Sequence, residues 1–328
     1  MGHNTVRMLI GEELLPLWRR VQEGAAIRRA IEFEECVWPY RLIVPFLFII
    51  GAYVQVKKWL YQCAGGDGFV PRYNFWLVDW ISINSRRVRD GAMRWKALDA
   101  VYNFKRGEGG NCLSRMIDHF WLHVRNAQAV RNRLKIVKRE LALAVCNVAA
   151  SQEPDRPVRI LSIAAGSGQG VIETVAELKR KGFCLQVLLV DRDQTALAHA
   201  RKLAAQHGVE DIVTACEGDA VFFNRVCNFR PCIIEMCGLM DYLRDATAIA
   251  LIKKIYRYLK PEGFFLTCHI HPNLEAYFLR HVENWGMLYR TREELLDLVV
   301  KGGFLGGKPH TEPLKIHTVV VARKEAMA

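Results

Sequence analysis

One short segment constrains the fold of this chain more than any other. Residues 158–170 read VRILSIAAGSGQG, an apolar run that ends in small residues and leads into a helical pattern. Small residues let the backbone turn sharply and let a ligand approach it closely. The helix that follows would present unpaired amide N–H groups and the positive end of its dipole. The segment therefore predicts a buried strand, a ligand-binding turn and a helix.

The rest of the second half repeats this alternation. Further short apolar runs occupy residues 185–190, 212–216, 232–236, 264–269 and 317–322. Helical patterns separate most of them, at residues 173–181, 195–207, 246–259 and 295–301. Strands that alternate with helices favour a parallel, doubly wound sheet.

The first half has a different character. Its patterns are mainly helical, with an amphipathic stretch over residues 12–34 and a long apolar periodicity over residues 113–148. A polar segment with two prolines follows at residues 150–157 and reads as a linker. We therefore expect a helical domain over residues 1–150 and an α/β domain over residues 151–328.

Charge separates the two halves as well. The 328 residues carry a net charge of +12, and residues 1–150 account for +10 of it. This excess predicts an anionic partner for the helical half: a phosphate-bearing ligand, a membrane surface or a nucleic acid. The ten cysteines form no Cys-x-x-Cys pair and match no metal-ligand spacing, which favours reduced thiols. Because no signal-peptide pattern opens the chain, we expect a cytoplasmic protein.

Residues 42–54 form an uncharged apolar run with aromatic and basic residues on both sides. A spanning helix needs about 20 apolar residues, so a membrane span is the least favoured interpretation. The flanks suit a helix at a membrane interface, with peripheral attachment of the protein. They also suit a buried or pocket-lining helix whose long side chains reach water, which is the interpretation we favour.

Polar residues follow the predicted strands at regular places. Asp191 comes after the second apolar run, where a carboxylate can accept hydrogen bonds from a ribose diol. Asp219 follows the third run, and the fourth is followed by Cys237-Gly238-Leu239. A Leu-Lys-Pro-Glu-Gly turn at residues 259–263 precedes the fifth. Each motif alone also fits an ordinary turn or helix cap.

Taken in order, these motifs resemble the class I S-adenosylmethionine-dependent methyltransferases, over roughly residues 158–325. The resemblance implies a Rossmann-like domain with a mixed, mainly parallel seven-stranded sheet and S-adenosylmethionine as cofactor. From residue 113 onward, the chain is similar to a little-characterised group of bacterial methyltransferases. Ser162 departs from the family pattern, which usually has an acidic residue there, and Glu235 is a candidate to compensate. The implied cofactor-binding residues are Ser162, Ala164, Gly166, Ser167, Gly168, Asp191, Arg192, Asp219, Ala220, Glu235, Met236, Cys237 and Leu239.

The acceptor of the methyl group is expected at the carboxyl ends of the strands, between the sheet and the helical cap. Candidate general bases follow the fourth and fifth runs: Asp241, Tyr242, His269 and His271. A histidine in such a place is more often a structural hydrogen-bonding residue. Candidate substrate-binding residues lie in the cap: Tyr102, His119, Trp121, Arg131 and Arg133. The two arginines suit a carboxylate or phosphate, although a solvated basic helix face explains them equally well.

The sequence therefore predicts methyl transfer to a small or lipid-like, anionic acceptor enclosed by the cap, such as a prenyl diphosphate or a phospholipid-like molecule. Two alternatives remain open. The basic half could bind RNA or DNA for methylation, although no recognisable nucleic-acid-binding module is present. The chain could instead be a membrane-associated module without activity. The helices of the cap could also pack between two copies of the chain.

Overall fold

The structure is a computed structural model that describes residues 31–35, 44–66, 81–103, 112–153 and 155–326. Within these ranges, five helices precede the sheet: α1 (Val44–Cys63), α2 (Ile83–Asp90), α3 (Trp95–Tyr102), α4 (Cys112–His123) and α5 (Arg125–Ala150). Residues 31–35 form no helix, so the predicted helix over residues 12–34 is wrong at its end. Its first nineteen residues lie outside the described residues.

The second half alternates strands and helices as predicted. Its elements are β1 (Val158–Ile163), α6 (Gln169–Arg180), β2 (Leu185–Asp191), α7 (Gln194–Gln206), β3 (Val213–Glu217), β4 (Ile233–Met236), α8 (Asp245–Tyr258), β5 (Phe264–Ile270), α9 (Ala276–His281), α10 (Arg292–Lys301), β6 (Lys308–Thr311) and β7 (His317–Arg323). Short 3₁₀ turns follow β3, at Ala220–Arg225, and β4, at Met240–Tyr242.

The strands form one seven-stranded sheet in the order β3-β2-β1-β4-β5-β7-β6. Strands β1 to β5 are parallel, and β7 is antiparallel to both β5 and β6. The predicted mixed, mainly parallel sheet is therefore confirmed. Because β1 and β4 are neighbours while their chain connections run in opposite directions, a crevice opens at their carboxyl ends.

Apolar clusters cover both faces of the sheet. One joins α5, α6 and α7 to β1 and β2, and includes Leu141, Ile172 and Leu189. The other joins α8 and α10 to the opposite face, and includes Ile252, Phe265 and Leu298. Helix α5 belongs to the first half of the sequence, yet it packs along the sheet. The division at residue 150 stays a prediction.

The cap and the sheet share a third cluster. Leu47, Leu122 and Ala127 of the cap meet Ile270 and Phe278 from the carboxyl end of the sheet. Buried apolar surface of this kind stabilises a protein by about 25 cal/mol per Å². The same contacts place the cap directly over the strand ends.

Helix α1 contains residues 44–54 of the apolar run predicted over residues 42–54, whose first two residues lie outside the described ones. One face is buried, with Leu47 and Val54 each 1% exposed and Gly51 against the ring of Tyr277. Other large apolar side chains face solvent: Phe46, Phe48, Ile49, Tyr53, Val56, Trp59, Leu60 and Tyr61. The burial that we favoured for this helix is therefore found on only one of its faces. In the part of the chain that the structure describes, no helix is both long and apolar enough to cross a bilayer.

The single helix predicted over residues 113–148 is interrupted. Helix α4 ends at His123, and Val124 adopts an extended conformation with φ −58° and ψ 148° before α5 begins. The carboxylate of Glu275 accepts hydrogen bonds from the backbone N–H groups of Arg125 (3.0 Å) and Asn126 (2.9 Å). This carboxylate caps α5 from a distant part of the chain, which explains why local periodicity did not reveal the break.

Candidate functional site

The turn after β1 has the backbone shape that its small residues favour. Ala164, Gly166 and Gly168 all have positive φ angles, of 53°, 56° and 63°. A Cβ atom on Gly168 would lie 2.7 Å from Cδ1 of the buried Leu189. Glycine at this position is therefore required both by the conformation and by the packing beneath it.

Asp191 holds this turn at the end of β2. Its Oδ2 accepts a hydrogen bond from Gly166 N at 2.8 Å, and its Oδ1 accepts one from Asp193 N at 2.8 Å. Each carboxylate oxygen keeps a further lone pair, and the side chain is only half-buried. Asp193 caps α7, accepting from Thr195 N and Ala196 N, so the helix-cap role that also fitted Asp191 falls to its neighbour.

A carboxyl group lies next to Ser162, the residue that departs from the family pattern. Ser162 is fully buried, and its Oγ donates a hydrogen bond to Glu235 Oε2 at 2.5 Å. The two residues are paired in register between β1 and β4. Burial raises the pKa of Glu235 against the opposing effect of this hydrogen bond. Glu235 therefore places a carboxyl group beside Ser162, at the strand ends.

Other predicted cofactor residues surround the same crevice. Asp219 is exposed and caps the turn at Ala220–Arg225, accepting from Val221 N at 2.7 Å. Met236 is buried on β4, Cys237 and Leu239 are half-buried after it, Ser167 is buried in the turn after β1, and Arg192 is exposed after β2.

Helix α3 of the cap covers the turn after β1. Trp95 Nε1 donates to Thr195 Oγ1 at 3.0 Å, and Asn103 Nδ2 donates to Gln169 Oε1 at 3.1 Å. A Cβ atom on Gly166 would lie 3.4 Å from Cβ of Trp95. The cap thus covers the crevice on this side.

These features fit S-adenosylmethionine. A nucleoside needs a half-buried carboxylate for its ribose, which Asp191 offers, and side-chain-free backbone for close approach, which Gly166 and Gly168 offer. The amino group of the methionine part needs a polar or acidic partner, which Ser162 and Glu235 offer together.

A cavity that is open to solvent lies between the cap and the strand ends, and the empty space in it and its mouth together is about 790 Å³. Its walls are mainly apolar. They come from α2, α3, α5, α9 and the segments around them, and include Val88, Leu98, Val101, Val124, Ala127, Val130, Ile270, Phe278, Leu279 and Met287. Gly238 and Asp241, from the turns that follow β4, also line it. The cavity therefore reaches the crevice where the cofactor residues converge.

Three polar side chains gather where the cavity meets the sheet: Arg133, Asp241 and His317. Arg133 Nη2 donates to Tyr102 Oη at 3.0 Å, and its Nη1 lies 4.0 Å from Asp241 Oδ2. Both ring nitrogens of His317 are buried without a hydrogen-bond partner among the described residues. Burial and the positive charge of Arg133 hold the pKa of His317 well below its usual range, so the ring is neutral at neutral pH.

The other predicted bases have different surroundings. Tyr242 lines the cavity and accepts a hydrogen bond from Trp285 Nε1 at 2.7 Å, while burial raises its pKa to about 12. His271 is bound on both sides, by Arg290 O at 2.7 Å and Thr318 Oγ1 at 2.6 Å. His269 is fully buried behind Asp241, with its Nδ1 2.8 Å from Asp241 Oδ1 in a poor hydrogen-bonding geometry. Neither of these two histidines lines the cavity.

The predicted substrate residues of the cap divide as well. Arg133 lines the cavity, and Tyr102 contacts it through Arg133. Arg131 lies elsewhere: Glu34 binds its guanidinium, with 2.6 Å between Nη2 and Oε2. The ring of His119 lies against that of His123, with a centroid distance of 4.0 Å and a tilt of 30°, and does not line the cavity. The side chain of Trp121 lies outside the described residues.

Sequence analysis missed five polar residues of the cavity: Asn126, Glu275, Glu283, Trp285 and His317. His317 begins the last strand, and its pattern there indicated only a β-strand. Glu283 and Trp285 follow α9 in a segment without a motif. For Glu283 and Trp285, the one available indication was their place in the chain after α9, near the expected carboxyl ends of the strands.

Comparisons with known proteins agree with this geometry. A family model described as "putative methyltransferase" matches residues 85–324. A solved structure described as a possible exported protein from Bordetella parapertussis shares the fold, with 17% identity, a TM-score of 0.59 and coverage of 99% of this chain and 100% of that one. The CMeT domain of citrinin polyketide synthase also shares it, with 13% identity, a TM-score of 0.53 and coverage of 97% and 91%. No curated protein sequence matches the chain.

The family model covers most of the chain, including the turn after β1, the crevice and three of the five cap helices in full. The fold, the residues of the crevice and the family match thus lead to one conclusion. The chain belongs to this methyltransferase family, and S-adenosylmethionine is its cofactor.

Proposed function

We propose that the chain transfers the methyl group of S-adenosylmethionine to a small or lipid-like acceptor that lies in the cavity under the cap. The observation that carries this proposal is the shared lining: Gly238 and Asp241 belong both to the turns after β4 and to the cavity wall. The cofactor supplies an electrophilic methyl group on a sulfonium. The protein has to align the acceptor with it and exclude water.

His317 is the proposed proton acceptor. Its neutral, unpartnered ring can accept a hydrogen bond from an acceptor hydroxyl and take the proton as the oxygen is methylated. Asp241 accepts from Ile270 N at 3.0 Å and lies between His269 and Arg133, so we assign it an orienting role. Tyr242, with its raised pKa, stays protonated and serves as a hydrogen-bond donor. His269 and His271 do not line the cavity, so we assign them no part in the transfer.

The walls of the cavity favour an acceptor with an apolar body, such as a lipid-like chain or a ring. An anionic head group, as in a prenyl diphosphate or a phospholipid, would have to meet Arg133. This arginine is the one cation of the described lining, and it already contacts Tyr102 and Asp241. We therefore favour an apolar hydroxyl compound over a diphosphate.

The test combines binding with turnover. Calorimetry with S-adenosylhomocysteine should give binding that Asp191→Ala abolishes, because Asp191 Oδ2 holds the turn after β1 at Gly166 N and the carboxylate is the expected ribose partner. Asp211→Ala, at an exposed ion pair with Lys179, is the matched control that keeps binding. Formation of S-adenosylhomocysteine is then measured with 4-octylphenol, farnesyl diphosphate, phosphatidylethanolamine vesicles and tRNA as acceptors.

The proposal expects turnover with 4-octylphenol, and it expects His317→Gln to lower this turnover by about a hundredfold while cofactor binding is kept. Turnover with tRNA alone would favour the nucleic-acid alternative, which the basic cap motivates. Absence of any cofactor binding, together with binding to vesicles, would favour the membrane-module alternative. The cytoplasmic location, peripheral membrane contact and association of two copies stay predictions.

A further inference from the structure

Glu283 is a buried carboxyl group that the proposed reaction does not use. It lies after α9, is 3% exposed and lines the cavity near Val88, Phe278 and Leu279. No described residue donates a hydrogen bond to its side chain. An ionised carboxylate in such surroundings is unfavourable without a partner.

A second glutamate of the same cavity, Glu275, has a carboxylate that accepts several hydrogen bonds. Glu275 receives hydrogen bonds from Arg125 N, Asn126 N and Asn126 Nδ2, the last at 2.7 Å. These bonds make Glu275 a helix cap. Glu283 has no comparable structural task, although both residues are buried and both line the cavity.

Among the described residues, the guanidinium of Arg89 is the charged group that acts on the carboxyl group of Glu283. Burial raises the pKa of Glu283 to about 8, because Arg89 offsets only part of the desolvation. The carboxyl group therefore holds its proton at neutral pH until a partner enters.

We propose that Glu283 is a specificity-determining residue that binds a protonated amine of the acceptor within the cavity. This inference rests on the proposed function, since it concerns the same cavity and the same acceptor. An ammonium group supplies the N–H donors and the positive charge that the carboxylate lacks. On binding, the proton of the Glu283 carboxyl group leaves to solvent, and an ion pair with hydrogen bonds takes its place.

The experiment compares three probes of equal length: octylamine, octan-1-ol and octanoate. Each is titrated by calorimetry into the full chain, in the presence of S-adenosylhomocysteine. We expect octylamine to bind about tenfold more tightly than octan-1-ol, and octanoate to bind most weakly. Titrations in two buffers of different ionisation enthalpy should show release of about one proton with octylamine at neutral pH, and none with octan-1-ol.

Glu283→Gln keeps the size of the side chain but cannot ionise, so the preference for octylamine should fall to about twofold or less. Glu293→Gln, at an exposed position of α10, is the matched control and should keep the preference. Equal binding of amine and alcohol, or an unchanged preference in Glu283→Gln, overturns the inference. The wild-type comparison and the proton release decide the matter even if Glu283→Gln does not fold.

The outcomes also separate this inference from the proposed function. Binding of octan-1-ol without any amine preference, together with methylation of 4-octylphenol, overturns the role of Glu283 alone. Failure of all three probes to bind contradicts both the role of Glu283 and the cavity as an acceptor site. Binding of S-adenosylhomocysteine would persist in either case, because its residues lie in the crevice.

Discussion

Gly168 shows how closely one residue can join fold and function. It has φ 63°, and a Cβ atom there would meet the core at Leu189. Gly208 has a similar φ of 67°, but a Cβ atom there would have open space around it. The two glycines thus share a backbone conformation and differ in packing.

We therefore expect Gly168→Ala to destabilise the protein by about 2–4 kcal/mol and to weaken cofactor binding, because strain and overpacking add. Gly208→Ala should cost only about 1 kcal/mol, from backbone strain alone. Urea unfolding and calorimetry with S-adenosylhomocysteine measure both effects. Equal losses of stability in the two variants would contradict the packing argument.

Glu283 gives a prediction about pH. Its pKa rises from 4.5 in the unfolded chain to about 8 in the folded one, so the folded state binds more protons between these values. The contribution of Glu283 to the free energy of unfolding is therefore greatest below about pH 4.5. This contribution is lost as the pH rises toward 8.

Glu283→Gln removes this loss, so it should be more stable than the wild type at about pH 8.5 by a few kcal/mol, and the gap should narrow toward about pH 5. Thermal unfolding of both proteins over this range is the measurement. A gap that stays constant with pH would show that Glu283 does not titrate as described.

At the scale of elements, α5 depends on a cap that comes from far along the chain. Glu275 satisfies its first N–H groups, whereas α10 has a local capping box in which Thr291 Oγ1 accepts from Glu294 N. Glu275→Ala leaves buried donors unpaired and should cost about 2–4 kcal/mol. Thr291→Ala should cost about 1 kcal/mol. Chemical denaturation compares the two, and a smaller cost for Glu275→Ala would contradict the proposed cap.

The same contrast explains which elements the sequence could predict. Six of the seven strands, the turn after β1 and four helices of the second half follow from local periodicity and small residues, and they were predicted. Strand β6 and helix α9 are short and were missed. The break at Val124 was missed because Glu275 causes it. The exposure of Phe46 and Ile49 on α1 was missed because hydrophobicity alone does not say which face is covered. His317 and Glu283 were missed because only the tertiary structure brings them to the cavity.

At the scale of the whole molecule, the cap and the sheet share apolar contacts. Leu47 and Leu122 belong to one cluster with Ile270 and Phe278, and α5 runs along the sheet. We expect one cooperative unfolding transition rather than two. Far-ultraviolet circular dichroism, which follows the helices and sheet, should coincide with tryptophan fluorescence in urea. Separate midpoints would show that the cap unfolds on its own.

The pairing of Ser162 with Glu235 affects how relatives of this protein should be compared. The two side chains are paired in register, so an acidic group on either strand reaches the same point in space. A comparison made position by position would score Ser162 as a lost residue. A comparison of neighbouring strands would find the carboxyl group one strand over. In family members that lack an acidic residue on the first strand, the fourth strand should therefore be searched for one before the protein is classed as inactive.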